Sequence, residues 1–123
     1  MNEKLDSNKR IFFEEFEKQK ENLTIKKEDI INQLKEVFDP EIPVNIYDLG
    51  LIYEIGINDE KKVKIKMTLT SPNCPVAESL PQEVSQKIKE LGGMTSLAVY
   101  LTFDPPWDKD KMSEDAKLAL DIQ

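Results

Sequence analysis

LGLIYEIGINDEKKVKIKMTL, residues 49–69, is the stretch that sets the fold. In its second half Val63, Ile65, Met67 and Leu69 alternate with Lys62, Lys64 and Lys66, the period of a strand with one apolar face. The first half, Leu49 to Ile57, tends toward the same alternation, and Asn58-Asp59-Glu60 between them is a turn signal. The two halves predict a β-hairpin. Its lysines read as solvated positions on a half-exposed sheet rather than as a binding patch.

Downstream, Thr70-Ser71-Pro72-Asn73-Cys74-Pro75 leads into a helical stripe of Val76, Leu80, Val84, Ile88 and Leu91 that ends at Gly92-Gly93. Pro81 falls early in it, so this helix either starts later or is kinked in its first turns. Met94 to Phe103 then alternates Leu97, Val99, Leu101 and Phe103 on one face. A strand reached through a helix is expected to lie parallel to the strand before it, by a right-handed crossover. Asp104-Pro105-Pro106-Trp107 follows as a rigid loop, and Ser113 caps a last helix carrying Met112, Ala116, Leu118 and Leu120.

Upstream of the hairpin, Ile30, Ile31, Leu34, Val37 and Phe38 recur at the spacing of one helical face, with Thr24 as N-cap and Asp39-Pro40 as the stop. Asn8 to Asn22 is almost wholly charged or aromatic, with Phe12, Phe13 and Phe16 as a short stripe and Glu14 with Lys18 as a favourable helical pair. That pattern predicts a further helix, whose stripe packs on its own domain, on a twin subunit in a homodimer, or on a partner. The expected fold is α+β, in the order α-α-β-β-α-β-α. It is a two-layer sandwich in which a three-stranded mixed sheet, the hairpin plus a parallel crossover strand, carries helices on one face. Residues 1–23 read as a helical extension and residues 24–123 as the domain proper.

The 123 residues suit one domain, and 39% hydrophobic with 33% charged residues is the composition of a globular chain. Acids outnumber bases 24 to 17, which argues against nucleic acid and anionic lipid as partners. No apolar run approaches signal-peptide or membrane-span length, so a cytoplasmic protein is expected. The sequence has no histidine and one cysteine. That removes Ser-His-Asp and Cys-His catalysis, imidazole zinc sites, an internal disulfide and a Cys-x-x-Cys pair, and a lone thiol fits a reducing compartment.

Cys74 is the remaining centre of chemistry. A place just before a helix favours the thiolate, the form that binds metal or attacks electrophiles. Glu78 one turn later, the absence of Lys or Arg nearby in sequence, and flanking prolines without N–H donors work against it. An inert buried thiol and a functional one both remain open at this point.

Three segments together resemble a family: DPEIPVNIYDLGLIYEI (Asp39 to Ile55), MTLTSPNCP (Met67 to Pro75) and LTFDPPWDKDKMSEDAKLAL (Leu101 to Leu120). In order and spacing they are similar to the iron–sulfur cluster assembly domain family that includes SufT, the PaaD-like proteins and the eukaryotic cytosolic iron–sulfur targeting subunit. The resemblance covers roughly Thr24 to Leu120. It implies a small α/β domain, a non-catalytic auxiliary role in iron–sulfur protein maturation, and a family cysteine at Cys74. The family's Asp-Pro-Glu turn falls on Asp39, Pro40 and Glu41, its Asp-Leu-Gly on Asp48, Leu49 and Gly50, and its threonine before the cysteine loop on Thr70. The chain lacks the extra C-terminal cysteines of PaaD-like members, which favours the SufT-like branch, and it lacks the glycine usual near the end of the last helix.

The same residues have structural readings. Asp39 and Asp48 can cap turns, Gly50 can permit a close backbone approach or a bulge, and Trp107 reads as a partner anchor or as a lid over the domain's own core. Iron–sulfur clusters usually take four protein ligands, mainly thiolates, so one cysteine does not suit a tightly bound cofactor. The expectation is that Cys74, next to Pro75, supplies one soft ligand while iron or a cluster passes between assembly proteins and client apoproteins. The alternatives are an adaptor that binds clients through the Asp39–Asp48 turn, the Trp107 loop and the N-terminal segment, with Cys74 incidental, and a cysteine-dependent redox enzyme, which the lack of a histidine base disfavours.

Overall fold

The computed structural model describes residues 9–16, 25–39, 42–70 and 79–120. The hairpin forms as the alternation requires. Strand β2 (Ile52–Ile57) pairs antiparallel with β3 (Lys62–Met67), through a turn in which the Asn58 Oδ1 accepts from the N–H groups of Glu60 (2.8 Å) and Lys62 (2.9 Å). Val63, Ile65 and Met67 are buried, and each is worth roughly 1.5–3 kcal/mol over leaving it in water. The lysines between them point away from the core: Lys66 lies 3.7 Å from Glu54, and Lys64 sits over the Tyr100 ring.

Helix α3 (Ser79–Lys89) follows, and β4 (Ser96–Leu101) then lies parallel to β3, as a helical crossover predicts. Pro81 stands in the first turn of α3 as described, where a helix has no use for the missing N–H.

The sheet has four strands where the sequence predicts three, in the order β1-β4-β3-β2. The extra strand is β1 (Lys9–Glu15), antiparallel to β4, in place of the helix expected from Asn8 to Asn22. Residues 17–24, including the Lys18 of the expected helical pair and the Thr24 of the expected N-cap, lie outside the described residues. The reason for the strand is tertiary. An open edge on β4 offers a ladder to Phe12 and Phe13, residue types that fit a pleated surface, with Ile11 at a bulge, whereas a short isolated helix is marginal in water. A register shift between Arg10 and Phe12 sets Phe12 opposite Val99 on the core side and Phe13 opposite Ala98 on the outer side. Glu14 reaches Lys89 of α3 at 2.8 Å.

Helix α1 (Lys27–Leu34) opens on Lys26, whose N–H donates to the Asp29 carboxylate at 3.2 Å, and it packs on α3 and β2. It ends one turn before the expected stop, because Val37 and Phe38 leave the helical phase to pair with the next loop: the Ile46 N–H donates to the Val37 carbonyl at 2.8 Å, and Phe38 bridges Asn45. Phe38, expected on the apolar helix face, is consequently 54% exposed. A short helix α2 (Ile46–Leu49), absent from the sequence expectation, a 3₁₀ turn (Lys109–Lys111) and α4 (Glu114–Ala119) complete the chain. Ser113 caps α4 as expected, its Oγ accepting from the Ala116 N–H at 3.1 Å, while Met112 is buried just before it and Leu118 is 77% exposed. The observed order is β-α-α-β-β-α-β-α. The α+β class holds, and no described helix is long and apolar enough to cross a membrane.

Candidate functional site

Of the sequence-predicted site residues that are described, Asp48, Gly50 and Trp107 come together where the loop 37–50 meets the segment 102–113, while Asp39 lies earlier in that loop and Thr70 past the end of β3. Asp39 is buried, and its Oδ1 accepts from the Ile42 N–H at 3.0 Å, a side-chain bond to the backbone three residues on. Three residues after Asn45, Asp48 completes a reciprocal cap. The Asn45 Oδ1 accepts from the Asp48 N–H at 2.8 Å, and the Asn45 Nδ2 donates to the Asp48 Oδ2 at 2.9 Å. Both carboxylates are thus engaged in shaping the loop. Pro40, Glu41, Cys74 and Pro75 lie outside the described residues.

The C-terminal segment is strapped onto this loop at three points. The Ser113 N–H donates to the Asp48 carbonyl at 2.8 Å, and the Trp107 Nε1 donates to the Leu49 carbonyl at 2.6 Å. The third point is Gly50, which caps α2 in the left-handed region at φ +85° and lies against the Lys111 backbone. Trp107 is half-buried on the core and acts as a pin between two loops. Trp107→Phe keeps most of the ring area but leaves the Leu49 carbonyl without its donor, and should cost about 1–2 kcal/mol. Urea unfolding followed by circular dichroism is the check, since this is the single tryptophan of the sequence and the change removes its fluorescence.

Thr70 ends the described part of β3's exit, at the point where the chain leaves toward residues 71–78. Just before it, Thr68 is fully buried and its N–H donates to the Leu51 carbonyl at 2.8 Å, while the Thr102 N–H donates to the Met67 carbonyl at 2.9 Å. The cysteine-bearing segment therefore departs from a framework tied to both other motif regions.

Sequence reasoning missed Asn45, Tyr53, Lys111 and the Ser113 N–H as parts of this assembly. The Asn-x-x-Asp spacing of a capping pair was a usable signal for Asn45. No local pattern marks Tyr53, whose hydroxyl donates across 52 positions of sequence to the Pro105 carbonyl at 2.7 Å. Burial raises the Tyr53 phenol above its ordinary pKa, with the Thr68 side chain pulling the other way and the Asp108 charge adding to the rise, so it stays a donor throughout the neutral range. Among the described residues no group of three or more Cys, Asp or Glu side chains is placed to hold a metal ion.

Comparison with known proteins gives a consistent answer. The family model described as iron–sulfur cluster assembly protein matches residues 27–99. An Fe-S protein maturation auxiliary factor of Porphyromonas gingivalis is 48% identical over 93 residues, 76% of this chain and 89% of that protein. The auxiliary factor SufT of Staphylococcus aureus is 37% identical over 86 residues, 70% of this chain and 98% of that protein. Among solved structures, a domain of unknown function from Bacillus anthracis superimposes with a TM-score of 0.74 at 33% identity, covering 79% of this chain and 92% of that one.

Proposed function

Since the chain belongs to the iron–sulfur cluster assembly protein family, in its SufT- and PaaD-like group, we propose that it is a non-catalytic auxiliary factor in iron–sulfur protein maturation whose Cys74 lends one thiolate to iron or a cluster in transit. The observation that carries this reading is the donor inventory, one cysteine and no histidine in the sequence. A cluster needs about four ligands, so a chain offering one soft donor is suited to sharing a cluster rather than keeping it. The cluster is cargo. Its other ligands come from an assembly protein, a client apoprotein or a second copy in a homodimer, and the single thiol fits a reducing, cytoplasmic setting.

The described residues of the loop 37–50, pinned by Trp107 and Gly50 beside the exit of β3, support this reading, because a surface already held in place meets a partner at lower entropic cost. In this reading Asp39, Pro40, Glu41, Asp48, Gly50 and Thr70 build that base, and Pro75 stiffens the chain beside the sulfur. Residues 24–123 are the assembly domain and residues 1–23 an appended segment. One observation favours a second reading, a client-binding adaptor in which the sulfur is incidental: the pinned loop is a formed surface with no need of the thiol.

Anaerobic reconstitution with iron and sulfide, followed by iron counting and transfer to an apo-ferredoxin, tests the shared-ligand reading. Iron bound at well below one cluster per chain, removed by a chelator and passed to the acceptor, is expected. Stoichiometric, chelator-resistant iron on the monomer would contradict it.

A further inference from the structure

A groove with a volume of about 790 Å³ lies between the end of α1, the first residues of the loop 37–50 and α3. Its apolar part is Phe12, Val37 and Phe38, and its walls carry Glu36, Glu83 and Glu90 against one base, Lys87. Lys87 is 3.1 Å from Glu36 and largely spends its charge there. Glu90 accepts a hydrogen bond from the Gln33 side chain at 3.3 Å, and Glu83 has no ion pair among the described residues. The groove is therefore acidic at its rim and apolar at its base.

Phe38 is the unusual member. It is 54% exposed on a backbone fixed by the bridge to Asn45, with buried Val37 beside it. A large apolar side chain held toward water on a backbone tied down by that bridge is suited to act as an anchor, because part of its ordering cost is met in the free protein. We propose that this groove docks a segment of a partner protein that presents an aromatic or aliphatic side chain to Phe38, flanked by lysines or arginines that face Glu36, Glu83 and Glu90.

The charge pattern selects this occupant over a second copy of the chain. A two-fold pairing would place the same acidic rim against itself, and like charges brought together at an interface oppose association. A basic segment gains on both counts, through apolar contact at the floor and charge pairing at the walls. The docking needs no contribution from Cys74, so it stands or falls apart from the hand-off reading.

The test is photo-crosslinking in cells, with benzoylphenylalanine in place of Phe38 in the full chain and, as a control, in place of Lys64 on the outer face of the sheet. The expected product joins position 38 to another protein, at a segment where an apolar side chain has at least two Lys or Arg neighbours. A synthetic peptide of that segment should bind the wild-type chain, lose affinity about fivefold or more with Glu83→Lys plus Glu90→Lys, and weaken as salt rises. Phe38→Ser should weaken it as well while the melting temperature stays near that of the wild type. Crosslinks to a second copy of the chain, to an acidic segment, or no more frequent than from the Lys64 position would overturn the proposal, as would a peptide indifferent to the charge reversal.

Discussion

Gly50→Ala is expected to destabilise the protein by about 2–5 kcal/mol, whereas Gly56→Ala, six positions on, should be neutral or slightly stabilising. Gly50 holds φ at +85°, where a residue with a Cβ pays about 1–2 kcal/mol. The added methyl would also overlap the Lys111 carbonyl oxygen and come within 2.8 Å of its carbonyl carbon. That neighbour is backbone in the 3₁₀ turn and cannot rotate away as a flexible side chain would, so overpacking adds roughly 1–3 kcal/mol. Relief would require moving the Lys109–Lys111 turn off α2, which strains the Trp107 and Ser113 bonds to the same loop. A fall in melting temperature of about 10 °C or more is the readout for a domain of this size. A Cβ on Gly56 meets nothing within 4 Å, and replacing a strand glycine by alanine removes about 0.5–1 kcal/mol of chain-entropy cost. If the two variants melt together, the close approach at Gly50 does not hold the site.

That contrast marks what was legible in the sequence. The hairpin, β4 and the cap of α4 follow from alternation, turn chemistry and a serine in the right place, all readable within a few residues. Parallel pairing of β3 with β4 followed from the helix between them. The N-terminal strand was not legible, because Phe12, Phe13 and Phe16 fit a short helical stripe as well as a bulged strand, and only the open edge of β4 decides between them. Phe38 misled for a similar reason: the helical period runs through it in sequence, but the chain leaves the helix to bridge Asn45. In the candidate site, Asp48 and Gly50 were singled out by the resemblance, and Trp107 by its place after two prolines. Their joining through Leu49, Lys111 and Ser113 was not, since those bonds are made by backbone groups that leave no trace in side-chain identity.

Cys74→Ser is the change with the largest expected effect on function. In cells lacking the protein, the wild-type chain should restore the activity of iron–sulfur enzymes, and the serine variant should leave them at the level of the deletion. Serine is close to cysteine in volume, but its hydroxyl is a hard donor that does not ionise at neutral pH, and iron–sulfur clusters take mainly thiolates. No second thiolate and no imidazole can stand in. There is no histidine, and of the four methionines Met67, Met94 and Met112 are at most 5% exposed, which leaves Met1 as the remaining soft sulfur. A melting temperature for Cys74→Ser within about 2 °C of wild type separates lost chemistry from lost folding. Cys74→Ala should fail equally, since the loss is of a ligand and not of a hydrogen bond. Full rescue by the serine variant would reject the ligand role, and the pinned loop 37–50 would then carry the function as a client-binding surface, with Trp107→Phe rather than Cys74→Ser the variant that impairs it.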